Sequence, residues 1–243
     1  MLSGLRHPLL VTFLGVKCES DPPCIVQEMM EGGSIEDLYA QKAIEVRGHW
    51  VASRQQIHGW VTDVLKALRF LHEGRRKVIH RDIKPANIML TKGFMWAKLG
   101  DFGLSKEWID KSPNRIMSGK AGTVRFMAPE VFREESDYDE KVDIYSLSMC
   151  MYFMITGLKP YEDFNDQQSL GKLVSERNLR PSLVDFPWPE MEGILREAWA
   201  ADAQLRPSAA RLLEMMMTDE VTRSLDKVPK KKKHNPFAQG ISF

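Results

Sequence analysis

The chain has 243 residues, of which 43% are hydrophobic and 28% are charged, and its formal net charge at pH 7 is +1. This is the composition of a soluble globular protein that can bury a core, and the length suits one large domain or two small ones. The near balance of the two signs excludes nucleic-acid binding driven by overall charge, so an electrostatic partner requires a local patch.

The three cysteines, Cys18, Cys24 and Cys150, are odd in number and lack CxxC spacing. We therefore expect neither a disulfide framework nor a zinc site, and a cytoplasmic location. The N-terminal run "PLLVTFLGV" loosely mimics a signal peptide but has no clear cleavage site. The most apolar later stretch, residues 147–157, is shorter than the roughly 20 residues that span a bilayer, so no transmembrane segment is predicted.

The first predicted elements are two antiparallel strands, "LLVTFLGV" and "PCIVQEMM", which the turn-like "KCESDP" separates. After "EGGS", Ser34 is predicted to cap a helix that begins at Ile35. Asp37, at the third helical position, is an acidic near-match to a capping box. Apolar residues then recur at helical spacing over residues 54–72, which predicts a long amphipathic helix.

Polar loops follow this helix, between short β-like pieces. Residues 105–124 show no periodicity, and an irregular segment of that length is usually functional. Helical patterns then dominate, over residues 142–155 and 190–201 and in a last helix that Pro207 is predicted to start.

Three motifs occur in a fixed order: "HRDIKPAN" at residues 80–87, "DFG" at 101–103 and "APE" at 128–130. Their order and spacing resemble the signature set of eukaryotic protein kinases. "DIYSLS", "LRPSAARLL", "LRHPLLVTFLGV" and "CIVQEMMEGGSIEDL" are also similar to segments of that family, so the resemblance covers residues 2–217. It implies an α+β fold with a mostly helical C-lobe and a partial N-lobe sheet.

The resemblance also divides the chain into three parts. Residues 1–30 correspond to a partial N-lobe and the start of the hinge, residues 31–218 to the C-lobe, and residues 219–243 to a basic tail that we expect to be disordered. Lys227 and the lysines at 230–233 suggest either contact with an importin, hence nuclear import, or contact with an acidic surface. A solvated terminus without a partner is the alternative.

The resemblance implies a role for each residue of the catalytic loop. Asp82 would orient the substrate hydroxyl, and Lys84 would reach the γ-phosphate of ATP. Asn87 and Asp101 would supply the oxygen ligands that Mg²⁺ prefers. Taken singly, such residues are more often solvated surface groups, and the ordered set carries the assignment. Phosphoryl transfer needs alignment and positive charge more than covalent help.

The family pattern also implies an ATP pocket at the hinge. Gln27 falls at the gatekeeper position, backbone groups of Glu28 and Met30 would contact adenine, and Met89 would pack beneath the ring. Asp101 is expected at the phosphate end.

Five residues are expected to brace the fold. His80 and Phe102 would pack together and couple the two loops. Glu130 and Arg206 would form a buried ion pair, and Asp143 would hold the back of the catalytic loop.

Arg81 directly precedes Asp82, and family members with this arginine pair it with a phosphorylated activation segment. The candidate phosphate acceptors are Ser112, Ser118 and Thr123, for each of which an unmodified hydroxyl is the alternative. Thr123 has a further alternative, as the structural threonine that binds the catalytic Asp and Lys.

"DIKPAN" and "GTVRFMAPE" match the Ser/Thr pattern, whereas "REAWAADAQLRPSAARLL" resembles tyrosine kinases and the tyrosine-kinase-like group. Ser148 stands where the family usually has glycine. The resemblance therefore implies a tyrosine-kinase-like kinase that transfers the ATP γ-phosphate to Ser or Thr of protein substrates.

The sequence lacks GxGxxG and a strand lysine ahead of helix C, two parts that kinases use to hold ATP. Lys17 is no substitute, because it falls in the turn between the strands. Three explanations stay open: a fragment of a longer kinase, a pseudokinase-like scaffold, or a lobe that a separate chain completes. We expect the chain alone to expose apolar edges, to be poorly stable and to be nearly inactive.

Overall fold

The computed structural model describes residues 5–18, 22, 24–74, 77–103, 105–107, 123–135 and 137–227. The α-helices are α1 (Ile35–Glu45), α2 (Arg54–Glu73), α3 (Pro129–Phe132), α4 (Lys141–Thr156), α5 (Gln167–Glu176), α6 (Glu192–Ala198), α7 (Ala209–Met216) and α8 (Asp219–Arg223). The strands are β1 (Phe13–Lys17), β2 (Cys24–Gln27), β3 (Val78–Ile79), β4 (Ile88–Leu90), β5 (Ala97–Leu99) and β6 (Lys106–Glu107). They form three antiparallel pairs, β1 with β2, β3 with β6 and β4 with β5.

The two predicted N-terminal strands are confirmed as the hairpin β1–β2. Val16 lies opposite Ile25, and the register shifts between Phe13 and Gly15. The apolar side chains of this hairpin are largely exposed, among them Leu14 at 63% and Ile25 at 58%. The expectation of exposed apolar sheet surface is therefore confirmed for this part of the chain.

The predicted start of α1 is confirmed, and its cap is more complete than the near-match expected. Ser34 Oγ accepts a hydrogen bond from the Asp37 N–H at 3.1 Å, and Asp37 Oδ2 accepts one from the Ser34 N–H at 3.0 Å. Both halves of a capping box are therefore formed. This fixes the direction in which α1 leaves the hinge.

The core lies in the helical lobe and contains α2 and α4. Residues 142–156 of α4 are all buried, as the nearly continuous apolar sequence predicts. Helix α2 contributes Trp60, Leu65 and Leu68, each 1% exposed or less. None of the described helices is both long enough and apolar enough to cross a membrane.

Two helices of the structure have bounds that differ from the predicted ones. Residues 190–201 divide into a 3-10 turn at Pro189–Met191 and the short helix α6. Helix α7 begins at Ala209 rather than at Pro207, because Ser208 is its N-cap and accepts a hydrogen bond from the Arg211 N–H at 3.1 Å.

The prediction of a disordered tail from residue 219 begins too early. Residues 219–227 pack on the lobe, with Val221 2% exposed and Ser224 fully buried. The buried Arg54 donates to the Ser224 carbonyl at 3.0 Å, and Trp188 Nε1 donates to Ser224 Oγ at 2.7 Å. These contacts join residues far apart in the chain, which is why the local sequence does not reveal them. The lysines at 230–233 lie outside the described residues.

Candidate active site

The catalytic loop between β3 and β4 is held from below by Asp143 of α4, which is fully buried. Its two carboxylate oxygens accept hydrogen bonds from the backbone N–H groups of His80 and Arg81, both at 2.8 Å. Burial opposes the ionisation of Asp143, but the hydrogen bond from His72 at 2.9 Å and the other polar contacts outweigh it. The pKa of Asp143 is therefore lowered. This carboxylate fixes the backbone directly ahead of Asp82.

Arg81 has a left-handed backbone, with φ of +67°. That conformation is unfavourable for a residue with a side chain, so it needs surrounding contacts to maintain it. The hydrogen bond to Asp143 is one such contact, and a second runs from Arg81 Nη1 to the Tyr138 hydroxyl at 3.1 Å. Asp82 directly follows this turn and is buried.

Asp82, Lys84 and Asn87 lie together. Asp82 Oδ2 accepts hydrogen bonds from Lys84 Nζ at 2.7 Å and from Asn87 Nδ2 at 2.9 Å, and the same amide nitrogen lies 2.7 Å from the Asp82 carbonyl oxygen. Asp82 Oδ1 is buried and has no hydrogen-bond partner among the described residues. One oxygen of the carboxylate is thus fixed, and the other is available to accept a proton or a hydrogen bond.

His80 and Phe102 join the catalytic loop to the DFG segment. Their ring centroids are 4.9 Å apart in an edge-on arrangement. His80 Nδ1 accepts from the Asp82 N–H at 3.3 Å, so Nε2 carries the hydrogen and donates to the Gly100 carbonyl at 2.9 Å. Burial lowers the pKa of His80, which keeps the ring neutral and preserves this tautomer.

A cavity of about 370 Å³ lies beside these loops. It is lined by the five residues assigned to ATP, by Asn87 of the catalytic loop, and by three residues that the sequence reading did not assign. The lining residues are Gln27, Glu28, Met30, Met89, Asp101, Asn87, Val11, Ala86 and Gly100.

The three unassigned lining residues are small or apolar. A Cβ atom at Gly100 would lie 3.1 Å from Val11 Cγ2, so glycine at this position keeps the cavity wall open. The position of Gly100 directly before "DFG" could have identified it. Val11 had no such signal, because it reads as one more apolar residue of a predicted strand.

The hinge at Glu28 is tied to the β4–β5 hairpin by a contact that the sequence did not reveal. Lys98 Nζ lies 2.8 Å from both carboxylate oxygens of Glu28, and Thr12 donates to the same side chain through its N–H and its hydroxyl at 2.7 Å. Burial opposes ionisation, but these donors outweigh it and the pKa of Glu28 is lowered. Because the side chain is occupied in this way, the backbone of Glu28 is held at the cavity.

Further along the hinge, Gly32 lies close against the same hairpin. A Cβ atom there would come within 2.6 Å of the Thr91 carbonyl oxygen, so this position requires glycine.

Glu130 and Arg206 face each other through two hydrogen bonds of 2.5 and 2.9 Å, and both are at least 95% buried. This paired geometry links α3 to the segment before α7. It is the arrangement assigned to these residues from the sequence, and it lies away from the cavity lining.

The candidate activation-segment sites are not described to the same extent. Ser112 and Ser118 lie outside the described residues. Thr123 begins the 3-10 turn Thr123–Phe126, and its side chain also lies outside the described part.

Comparison with known proteins gives one family and many relatives. The family profile for the protein kinase domain matches residues 1–225. Serine/threonine-protein kinase STY17 of Arabidopsis thaliana is 31% identical over 243 residues, which cover 99% of this chain and 40% of that protein. Serine/threonine-protein kinase VIK of the same plant is 30% identical over 219 residues, covering 89% and 48%.

A third relative is named as a tyrosine kinase rather than as a serine/threonine kinase. Seven transmembrane domain-containing tyrosine-protein kinase 1 of Dictyostelium discoideum is 30% identical over 222 residues, covering 89% of this chain and 30% of that protein. The chain thus spans less than half the length of each of these three relatives.

Proposed function

The chain belongs to the protein kinase family, and from this we propose that it transfers the γ-phosphate of ATP to serine or threonine hydroxyls of protein substrates. The observation that carries the proposal is the hydrogen bonding of the Asp82 carboxylate. Lys84 and Asn87 fix one carboxylate oxygen, and the other is buried without a partner among the described residues. A buried free acceptor beside a cavity is suited to bind a substrate hydroxyl that enters from outside.

In the proposed reaction the acceptor hydroxyl donates its hydrogen bond to Asp82 Oδ1. This aligns the oxygen lone pair with the phosphorus and supplies a base for the departing proton. Lys84 adds positive charge on the same side of the loop, where the transferred phosphoryl group carries negative charge. Asp143 keeps the backbone of the loop in place beneath these groups.

The nucleotide is proposed to occupy the cavity. Its volume of about 370 Å³ falls in the range of small-molecule sites. Met89 would pack against the adenine ring, backbone groups of Glu28 and Met30 would bind its polar edge, and Gln27 would close the back. The ion pair between Glu28 and Lys98 supports this, because it holds the hinge backbone against the cavity.

The oxygen donors at one side of the cavity fit Mg²⁺. The amide nitrogen of Asn87 is committed to Asp82, so its amide oxygen is the atom left for a cation, and the Asp101 carboxylate lines the same cavity. Among the described residues there is no cluster of three or more His, Cys, Asp or Glu side chains that could hold a metal ion. Mg²⁺ bound there would neutralise charge on the phosphate oxygens.

Preference for Ser and Thr over Tyr rests on Lys84, which lies two residues after Asp82, and on relatives named as serine/threonine kinases. Because another relative is named a tyrosine kinase, acceptors of both kinds belong in the test. Phosphoamino-acid analysis of the labelled product distinguishes them.

A pseudokinase-like scaffold is the second candidate. A protein kinase fold does not by itself imply phosphate transfer, so this candidate is tested together with the first. Such a module would bind a protein partner, with or without ATP, and would transfer no phosphate.

The test measures transfer of labelled phosphate from ATP–Mg²⁺ to an acceptor protein by this chain and by Asp82→Asn. We expect phosphate transfer that the substitution reduces by about 10²–10⁴-fold, with unchanged nucleotide affinity. Asp219→Asn removes the same charge from a carboxylate that is 82% exposed and should leave the rate unchanged. Nucleotide binding with equal, residual transfer by all three proteins would instead support the scaffold.

We also propose a cytoplasmic location and contact of the basic tail with an importin or another acidic surface. The support for the tail contact is the run of lysines at 230–233. The support for the location is that the number and spacing of the three cysteines predict no disulfide framework. Deletion of residues 228–243 tests it. A fused fluorescent protein that keeps its nuclear fraction after the deletion argues against import.

A further inference from the structure

One face of α2 forms the floor of an open groove on the helical lobe. Gly59 lies in the middle of this face, and Gln55 lies one turn before it on the same side of the helix. Apart from its chain neighbours and the backbone of its own helix, no described atom lies within 4 Å of the position that a Cβ atom at Gly59 would take. We call the space above these two residues the α2 groove.

The residues on either side of Gly59 hold the walls of the α2 groove. His58 Nε2 donates to the Met216 carbonyl at 2.9 Å, which places the end of α7 along one side. Trp60 Nε1 donates to the Phe94 carbonyl at 2.9 Å, which places the turn between β4 and β5 along the other. Successive residues of a helix are about 100° apart, so Gly59 faces the gap between these two elements.

Large apolar side chains are exposed on both walls. Met217, at the end of α7, is 58% exposed. Met95 and Trp96, in the opposite wall, are 71% and 53% exposed. Single apolar residues on a surface need no explanation, but three beside one open gap form a patch that an apolar segment can cover. Glycine is unfavourable inside a helix, and its lack of a side chain lets another backbone or ring come close.

The chain itself leads to this groove. Gln55 Nε2 donates to Asp226 Oδ1 at 2.9 Å, and Lys227 pairs with Glu190. The last described residues therefore lie at the end of the groove that Gln55 marks. Residues 228–243 follow in the sequence, and after the lysines they contain the segment "NPFAQGISF" with its three large apolar side chains.

The length of this segment is sufficient for it to fold back. The ten residues from Lys227 to Phe237 span up to about 33–36 Å when extended. The stretch of α2 from Gln55 to Trp60 is about 7.5 Å long, so Phe237 can reach any part of the groove.

We propose that the α2 groove is a docking site for residues 236–243 of the same chain. Phe237, Ile241 and Phe243 pack over Gly59, between the exposed side chains of the two walls, and the lysines at 230–233 lie in the connection and stay in solvent. The inference does not depend on the kinase function, because the groove residues do not line the nucleotide cavity.

Oxidation of methionine by hydrogen peroxide tests whether the groove is covered, because an accessible thioether is converted to the sulfoxide. Mass spectrometry of the whole chain at low conversion gives separate rates for Met95, Met217 and Met29. Met29 is 86% exposed at the hinge and is the internal reference. With an effective concentration on the order of 1 mM and a docking constant on the order of 0.1 mM, the two groove methionines should react about tenfold more slowly than Met29.

The double variant Phe237→Ala, Phe243→Ala removes most of the apolar surface of the segment without touching the described fold. The rates at Met95 and Met217 should then rise to within about twofold of that at Met29.

Gly59→Leu blocks the groove from the other side. It places a side chain over the floor and improves the helix propensity, so it should free the two methionines while the lobe stays folded. The double variant Lys231→Gln, Lys232→Gln is the matched control. It changes two residues of the same segment and should leave the protection unchanged.

Equal rates at Met29, Met95 and Met217 in the unsubstituted chain overturn the inference, because the groove is then open. Protection that survives the phenylalanine substitutions or Gly59→Leu also overturns it, since the segment then does not occupy the groove. Loss of protection in the lysine variant shows a contact made by charge, against the apolar packing proposed. Protection that disappears on dilution assigns the groove to a second copy of the chain and overturns docking within one molecule.

Discussion

The hairpin β1–β2 and the helix α4 carry similar apolar side chains but place them in opposite environments. Residues 142–156 of α4 are all buried, whereas Leu14, Val16, Ile25 and Val26 of the hairpin are 44–63% exposed. Two strands alone have too few neighbours to cover their apolar faces, whereas a central helix is enclosed by other helices. We infer that the helical lobe provides the stability of this chain and that the hairpin contributes little.

The largest effect is expected from breaking the buried ion pair of the helical lobe. Glu130→Ala leaves the guanidinium of Arg206 buried without its carboxylate, and this should lower the free energy of unfolding by about 3–5 kcal/mol. Urea denaturation measures it. Glu214→Ala is the control, because Glu214 and its partner Arg211 are both about two-thirds exposed, and it should cost less than about 0.5 kcal/mol. Similar losses for both variants would contradict the assignment of stability to this pair.

A second comparison replaces one leucine with alanine in the helical lobe and one in the hairpin. Leu65 is fully buried in α2, so Leu65→Ala should lower the free energy of unfolding by about 2–5 kcal/mol. Leu14 is 63% exposed in the hairpin, so Leu14→Ala should change it by less than about 0.5 kcal/mol. The difference between the two urea midpoints is the measurement. Equal effects would show that the hairpin is packed in solution.

Features that depend on neighbouring residues could be predicted from the sequence. The capping box needs only Ser34 and Asp37, and the helical spacing of α2 is visible along one stretch. The order of the catalytic motifs likewise predicted Asp82, Asn87 and Asp101 as site residues. The fold brings Asn87 and Asp101 to one cavity and places Asp82 beside Asn87.

Contacts between distant residues could not be predicted, because no local pattern marks their partners. Lys98 pairs with Glu28 across 70 positions, and the loop at 160–164 is shaped by Arg125. Helix α8 has only five residues and would be marginal alone, but packing of its neighbour Ser224 against Arg54 and Trp188 holds it in place.

The third prediction concerns the pH dependence of stability that arises from the burial of His80. Burial lowers the pKa of this histidine in the folded chain below the ordinary value of about 6.5. As the pH falls through 6.5, the unfolded chain gains a proton at His80 and the folded chain does not, so stability decreases until the pH passes the folded-state pKa. Urea midpoints between pH 8 and pH 5 should decrease accordingly. His80→Gln removes this group, and a pH slope that is unchanged in this variant would contradict the assignment.

The last prediction compares the two regions through the reactivity of their cysteines and changes stability least. Cys18 and Cys24 lie exposed at the hairpin, whereas Cys150 lies fully buried in α4, where burial raises its thiol pKa well above the ordinary value. A thiol reagent should modify Cys18 and Cys24 in the folded chain at rates close to those of a peptide.

Cys150 should react only as the lobe opens, because the thiolate is the reactive form and the buried thiol neither ionises readily nor contacts solvent. In a Cys18→Ser, Cys24→Ser variant, the rate at Cys150 then reports the opening of the lobe alone. Rapid labelling of Cys150 without denaturant would mean that α4 is not the stable centre of the molecule. Slow labelling that Glu130→Ala accelerates would connect the buried ion pair to the same opening.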